Sequence, residues 1–173
     1  MTEYPDDTVG GLPTPPRTII DADGRKIEIR TADDSLEELV EMYLDFHAED
    51  RAQGIPPTNE SDIREWLSVV TRDEELNVIA YHEGNPVGHV MLVSDEEDAY
   101  ELAIFVLQEY QGAHIGTELL RTALGGAAEE GIERVWLSVE RWNRPAVSLY
   151  KKIGFQETGD DHFEKMMKLR LDG

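Results

Sequence analysis

The chain has 173 residues and no cysteine, and its 16 Lys and Arg face 37 Asp and Glu for a formal net charge of −21. That length fits one domain, or one domain with a tail, and is enough to bury a single sizeable core. The composition excludes disulfides, thiolate zinc sites and a cysteine nucleophile, disfavours general affinity for nucleic acid, and offers no apolar run approaching the roughly eighteen residues of a membrane span.

The N-terminus "MTEYPDDTVGGLPTPP" has neither the basic start nor the apolar stretch of a signal peptide, so a cytoplasmic, soluble protein is expected. Eleven of the basic residues are Arg and five are Lys. An acid-rich, lysine-poor surface suits concentrated salt, where screening shortens the Debye length to roughly 3 Å at 1 M, and a halophilic setting is expected. The charge is uneven. Residues 1–110 carry a balance of −20, whereas residues 111–154 carry +1.

In chain order, residues 1–18 are rich in Pro, Gly, Asp and Thr and read as a disordered leader, with a single domain over 19–173. "RKIEIR" (Arg25–Arg30) alternates like a strand after the turn "DADG". "DDSLEELVEMYLDFHAED" places Leu36, Leu39, Val40, Tyr43, Leu44 and His47 at helical spacing, with acids in its first turn. "ESDIREWLSVVTRD" puts Ile63, Trp66, Leu67 and Val70 on one helical face. The period then changes: "LNVIAYHEGNPVGHVMLVSD" reads as a hairpin around "EGNP", and "AYELAIFVL" as a buried strand. "HIGTELLRTALGGAAEEG" predicts a helix with Ile115, Leu119, Leu120, Ala123 and Leu124 inside. A strand "ERVWLSVE", a short helix "NRPAVSLYKKIG" and a terminal strand pair "FQETGDDHFEKMMKLRL" follow. No internal repeat is present, and this order predicts a mixed α/β or α+β sheet domain rather than a regular βαβ array.

Two stretches carry chemistry. Between the strand "IFV" (Ile104–Val106) and the helix "TELL" lie Gln111, Gly112, Ala113, His114, Ile115 and Gly116. Small residues let backbone amides approach a ligand, and a helix N-terminus aims its orphan N–H groups at the same place. Alone, the loop reads equally as a tight connection. It has no Gly-Lys-Ser/Thr and no three-glycine dinucleotide spacing. The second stretch, "VERWNRPAVSLYKKIGF", spaces Asn143, Ala146, Leu149, Tyr150, Gly154 and Phe155 behind the strand "RVWLSV".

With both stretches in this order, the sequence resembles the GNAT acyl-CoA N-acyltransferase superfamily from about Arg25 to the C-terminus. That family pairs a Gln/Arg-x-x-Gly-x-Gly/Ala loop with an Asn-x-x-Ala-x-x-Leu-Tyr-x-x-x-Gly-Phe segment. The second motif matches at every position, while the first departs from it, with His114 standing where the family has its first glycine. The resemblance implies a mostly antiparallel sheet of six to seven strands flanked by about four helices. It implies an enzyme that moves an acetyl group from acetyl-CoA to a primary amine, on a protein N-terminus, a lysine or a small molecule, without a metal. It places the pantetheine arm along Ile104, Phe105 and Val106, and the pyrophosphate on the amides of Gly112, Ala113, His114, Ile115, Gly116 and Thr117, next to Gln111. Asn143 would contact the arm, and Tyr150 would stand near the sulfur as a general acid. Neither nucleic acid nor membrane is an expected partner; homodimers are common in the family. A coenzyme A-binding sensor with little catalysis is the other reading.

Several residues keep two meanings at this level. Tyr150 is equally a core aromatic of an amphipathic helix. Glu101 is either the base that deprotonates the amine or an exposed strand-end carboxylate. His82 and His89 are structural before they are catalytic. His114 either donates to phosphate, crowds the site, or points to solvent. The acids of "SDEEDAYE" either attract a cationic amine or reflect only a generally acidic chain.

Overall fold

In the computed structural model, residues 4–32, 36–46, 56–160 and 164–172 are described. The eight strands form one sheet in the order β1-β2-β3-β4-β5-β6-β8-β7. They are β1 (Arg17–Ile20), β2 (Lys26–Thr31), β3 (Leu76–His82), β4 (Asn85–Ser94), β5 (Tyr100–Val106), β6 (Arg134–Glu140), β7 (Gln156–Asp160) and β8 (Glu164–Arg170). The helices are α1 (Leu36–Leu44), α2 (Glu60–Val70), α3 (Ile115–Glu129) and α4 (Arg144–Ile153). Every strand pairing is antiparallel except β5 with β6. This is the mixed, mostly antiparallel sheet expected, with β1 added at its edge. No described helix is long and apolar enough to cross a membrane.

The helical stripes follow the apolar spacing except at Leu44, which lies near the end of α1 and is 46% exposed, while Met42 is buried in its stead. Leu39, Val40 and Tyr43 of α1 are buried against Ile63 and Leu67 of α2 in one core, and Glu37 and Glu38 occupy the first turn. His47 lies outside the described residues. Asn59 caps α2 by accepting the Asp62 amide at 2.9 Å. Ile115, Leu119, Leu120, Ala123 and Leu124 of α3 are all fully buried.

The hairpin corrects the expected four-residue turn. Only Glu83 and Gly84 form it, both left-handed (φ 52° and 82°), while Asn85 and Pro86 already pair with His82 and Tyr81. Two residues with positive φ match the twist of adjoining strands better than a wider turn. Pro86 is tolerated because the register shifts between Ala80 and Tyr81, its pairing partner.

Residues 4–16, read from sequence as a leader, run beside the C-terminal strand and α3. Val9 donates to the Arg170 carbonyl and accepts from the Asp172 amide, each at 2.9 Å. The Pro13 carbonyl oxygen would lie 1.8 Å from a Cβ at position 125, so Gly125 of α3 is required by this close approach. The boundary expected at residue 18 falls inside β1.

Candidate active site

Strand β5 is zipped on one side and open on the other. Toward β4 it is paired from Tyr100 to Val106, all seven residues. Toward β6 only Tyr100 and Glu101 have register partners, Val135 and Trp136, and the strands then part. Ile104, Phe105 and Val106 therefore border a gap with no neighbouring strand on the β6 side. The face of Phe105 is fixed by its edge-on contacts with Tyr43, Phe46 and Trp66, at ring separations of 5.8 Å each. By strand alternation Ala103 and Glu101 share that α1/α2 face, and Ile104 and Val106 face α3. Val106 accordingly meets the Gly116 position at 3.9 Å.

Beyond β5 a short 3-10 turn (Gln108–Tyr110) leads to the loop. The Gln111 side chain folds back and donates to the Val106 carbonyl at 3.0 Å, capping the open strand end. Gly112 (φ 76°) and His114 (φ 70°) are both left-handed, and His114 is the residue before the first turn of α3. The amides of Gly112 through Thr117 donate to no backbone carbonyl among the described residues. Successive unpaired N–H groups at a helix N-terminus, with alternating backbone handedness, form a concave anion cradle. Ala113 and Ile115 are buried, so they could serve a ligand only through their amides. A Cβ on Gly112 would meet nothing within 4 Å, so the space above the loop is open.

The geometry explains the departure at position 114. A left-handed residue is easiest for glycine, and histidine is among the side chains that tolerate it. The His114 ring is exposed and makes no capping bond. It points to solvent and leaves its amide in the cradle.

A brace that sequence reasoning missed holds this loop. The Asp21 carboxylate accepts the Arg25 guanidinium at 2.7 Å, and Arg25 lies 4.2 Å over the Tyr110 ring. The Tyr110 hydroxyl meets His82 Nδ1 at 2.6 Å, and the Ala22 amide donates to the Ala113 carbonyl at 3.0 Å. Burial works to raise the Asp21 carboxyl, but hydrogen bonds from Arg25 and from the Asp23 amide bring it below its usual value. His82 is thus a strut. The only sequence signal of the brace was the "DADGR" turn, which gives no hint that Arg25 meets Tyr110 more than eighty residues away.

Tyr150 lies on the inner face of α4, 5.8 Å from the Phe155 ring, and burial pushes its phenol up to about 12. Its hydroxyl has no hydrogen-bond partner among the described residues. Asn143 caps α4 through Oδ1, which accepts the Ala146 amide at 3.3 Å. That bond leaves Nδ2 without a partner among the described residues. Glu101 stands at the vertex where β5 and β6 part. Although the residue is exposed, desolvation of its carboxyl, then the Asp95 and Glu164 carboxylates, push its pKa up. At about 3.3 Å per strand residue, its Cα lies roughly 10 Å from that of Ile104. The structure thus brings Ile104–Val106 together with the loop, and sets Glu101 apart along the strand.

His89 is fully buried and hydrogen-bonded at both nitrogens, to the Tyr43 hydroxyl at 2.7 Å and to Asn77 Oδ1 at 2.7 Å. Asn77 Nδ2 donates to the Val70 carbonyl, so Oδ1 faces the ring, and His89 carries its proton on Nε2. Burial lowers its pKa to about 3. It is a neutral structural group. In the acidic stretch, Asp95 accepts from the Glu97 and Ala99 amides and from the Trp136 indole, so it shapes its own loop.

The sequence profile of the Acetyltransferase (GNAT) family matches residues 36–155. An uncharacterized N-acetyltransferase of Mycobacterium tuberculosis is 35% identical over 85 residues, 49% of this chain and 54% of that protein. The chain spans about half the length of the curated relatives it matches. The GNAT domain of S. lividans PAT superposes with a TM-score of 0.75 at 18% identity, covering 90% of this chain and 97% of that one. The yncA protein of Salmonella typhimurium, solved with its cofactor acetyl-CoA, gives 0.68 at 20% identity, covering 84% and 94%. With a profile match across most of its length and the same fold in solved members, this chain belongs to the Acetyltransferase (GNAT) family.

Proposed function

We propose that the protein is an acetyl-CoA-dependent N-acetyltransferase acting on a primary amine by direct attack on the thioester. The observation that carries this reading is the gap beside β5 leading into the unpaired amides of Gly112–Thr117. A linear ligand with an anionic centre fits that arrangement: an amide-containing arm along Ile104–Val106 and a diphosphate on the loop. Acetyl-CoA in the Salmonella neighbour supports the same co-substrate here. Asn143 Nδ2 is the donor toward the arm.

The acceptor arrives as an ammonium ion, and its proton must leave before attack. Glu101, with its raised pKa, takes that proton through water across the intervening distance. The C–N bond then forms as the C–S bond breaks. Backbone N–H groups along the open edge of β5 polarise the carbonyl oxygen. Tyr150, protonated throughout the neutral range, donates its hydroxyl proton to the departing sulfur and is reprotonated by the proton that the attacking nitrogen sheds as it becomes the amide.

Two measurements test the reading: calorimetric binding of acetyl-CoA, and thiol release across a panel of primary amines. Saturable binding together with amine-dependent thiol release is the expected result. If acetyl-CoA does not bind, the reading of the gap and loop fails as a whole.

A further inference from the structure

Two residues beside Glu101, Asp95 and Trp136, have no part in the acyl-transfer chemistry so far. Glu101 and Trp136 are register partners, the last pair before β5 and β6 separate, so their side chains lie side by side on one face of the sheet. The Trp136 indole donates to Asp95 Oδ2 at 2.8 Å. Asp95 opens the β4–β5 connection, and its Oδ1 accepts the Glu97 and Ala99 amides at 2.8 and 3.0 Å. Its own amide donates to the Ala99 carbonyl at 2.8 Å. Among the described residues, every hydrogen bond to this carboxylate comes from a neutral donor. Such donors hold the group in place and ionised without cancelling its charge. Burial works to raise the Asp95 pKa, but the Glu97 amide, the Trp136 indole, the Ala99 amide and then the Lys168 charge bring it below its usual value.

Glu101 is the opposite case. Its carboxyl has no hydrogen bond or ion pair among the described residues, and desolvation, then the Asp95 and Glu164 carboxylates, push its pKa up. Two carboxyls whose surroundings drive them apart can divide the roles of fixed anion and proton acceptor. The other groups on this face do not compete for Glu101. Val93, opposite it on β4, is apolar, and toward the helices the face carries Phe105 and the neutral His89. Lys168, opposite Trp136 on β8, is 3% exposed, with its ammonium 5.0 Å over the Tyr4 ring and close to the Glu97 and Asp95 charges. Arg134 of β6 lies over the same ring, and Glu140 of β6 is opposite Glu164.

We propose that Asp95 and Trp136 are positioning residues for Glu101: the indole fixes the Asp95 carboxylate beside it and covers the pair from water, which readies Glu101 to take the acceptor's proton. This rests on the reading of Glu101 as the group that takes that proton. The proton leaves the substrate's ammonium nitrogen, crosses through water to a Glu101 carboxylate oxygen, and passes to bulk solvent once transfer is complete. Asp95 touches neither substrate nor cofactor and acts only through its charge on Glu101.

The test compares the parent with Asp95→Asn, Trp136→Phe and Glu97→Gln in two measurements. One is the Glu101 carboxyl titration, followed by carboxyl-carbon NMR in the ligand-free protein and assigned with Glu101→Gln. The other is the acidic limb of kcat/KM, with acetyl-CoA and the primary amine that gives the most thiol release. In Asp95→Asn both should move to lower pH by about half a unit or more, because removing a nearby anion eases the ionisation of Glu101. Asparagine keeps a carbonyl for the loop amides but turns a donor toward the indole, so the tether is lost. Trp136→Phe keeps a ring and breaks the tether, and both should move the same way by less. Glu97→Gln, in the same loop but facing Lys168, should leave both in place. An unmoved Glu101 titration in Asp95→Asn overturns the proposal, as does an equal shift in Glu97→Gln, which would assign the effect to loop charge in general. Should Asp95→Asn fail to fold, the titration of Trp136→Phe decides in its place. If the limb survives in Glu101→Gln, the reading of Glu101 falls and the proposal with it. If the limb vanishes there but stays unmoved in Asp95→Asn, Glu101 remains the base and only the proposal is overturned.

Discussion

The two sides of β5 have the same residues and opposite fates. Toward β4 the pairing runs unbroken through Val106, and the side chains beside it include His89, held at both ring nitrogens. Toward β6 it stops after Glu101, and the loop that follows leaves its amides without backbone acceptors. Backbone polar groups in a fold are normally paired or solvated, and in the proposed reading this half-buried open row is where the acyl-CoA arm lies. The closed side supplies rigidity, and the open side spends it.

The largest expected effects come from breaking the open side. Tyr150→Phe removes a hydroxyl with no hydrogen-bond partner among the described residues, so stability should barely change while kcat falls by about 10²-fold or more, the usual range for a positioned acid. Acetyl-CoA affinity measured by calorimetry should be retained. Because the phenol stays protonated up to about pH 12, its titration should put no limb in the neutral range of the rate profile. Unchanged turnover would remove Tyr150 from the chemistry. Glu101→Gln should cost less, about 10-fold to 100-fold in kcat/KM, since water remains as a proton carrier. The parent's acidic limb in kcat/KM should lie above the ordinary carboxylate range, following the raised pKa, and should vanish in the variant. A profile identical in both proteins would leave Glu101 as a strand-end carboxylate.

Breaking the closed side should show in stability and not in the reaction. His89→Ala removes the ring that bonds the Tyr43 hydroxyl and Asn77 Oδ1 and opens a cavity, a loss of about 2–4 kcal/mol by chemical denaturation. The pH dependence has a definite sign. The folded-state pKa is depressed to about 3 from an unfolded value near 6.5, so the folded chain resists protonation. This contribution is fully present above about pH 6.5 and declines by at most about 1.4 kcal/mol per pH unit as pH falls from there toward 3. His89→Ala should lack that slope in denaturant melts between pH 6.5 and 4. If it keeps the parent's slope, other groups govern acid unfolding.

The contrast also shows what the residue pattern could and could not convey. Periodicity placed the inner stripes of α1, α2 and α3, because a buried helix face must repeat about every 3.6 residues. The loop and the Asn143–Phe155 segment were legible because each carries a spacing tied to one element junction. Strand β1 was not: "RTII" is four residues at a sheet edge, follows a Pro-rich run, and leaves Ile20 66% exposed. The hairpin turn was misplaced because "EGNP" holds two competing turn signals, and strand twist chooses between them. The Arg25–Tyr110–His82 brace joins three distant segments, and such pairing leaves no trace in local pattern.

The smallest expected effect sharpens the comparison most finely, since it concerns one dihedral at the open end. His114 holds φ 70° with its ring in solvent. For a residue with a Cβ that conformation costs about 1–2 kcal/mol, a penalty glycine escapes. Glycine also loses more chain entropy on folding, which offsets about 0.4–1 kcal/mol of the gain. His114→Gly should therefore stabilise the protein by about 0.5 kcal/mol, whereas His114→Ala, which keeps the Cβ, should not. The amide serves the cradle in all three proteins, so acetyl-CoA affinity should agree within about threefold among them. An increase of tenfold or more in the glycine variant alone would mean that the Cβ crowds the diphosphate. A loss of that size in both variants would mean that the imidazole reaches the phosphate and donates to it.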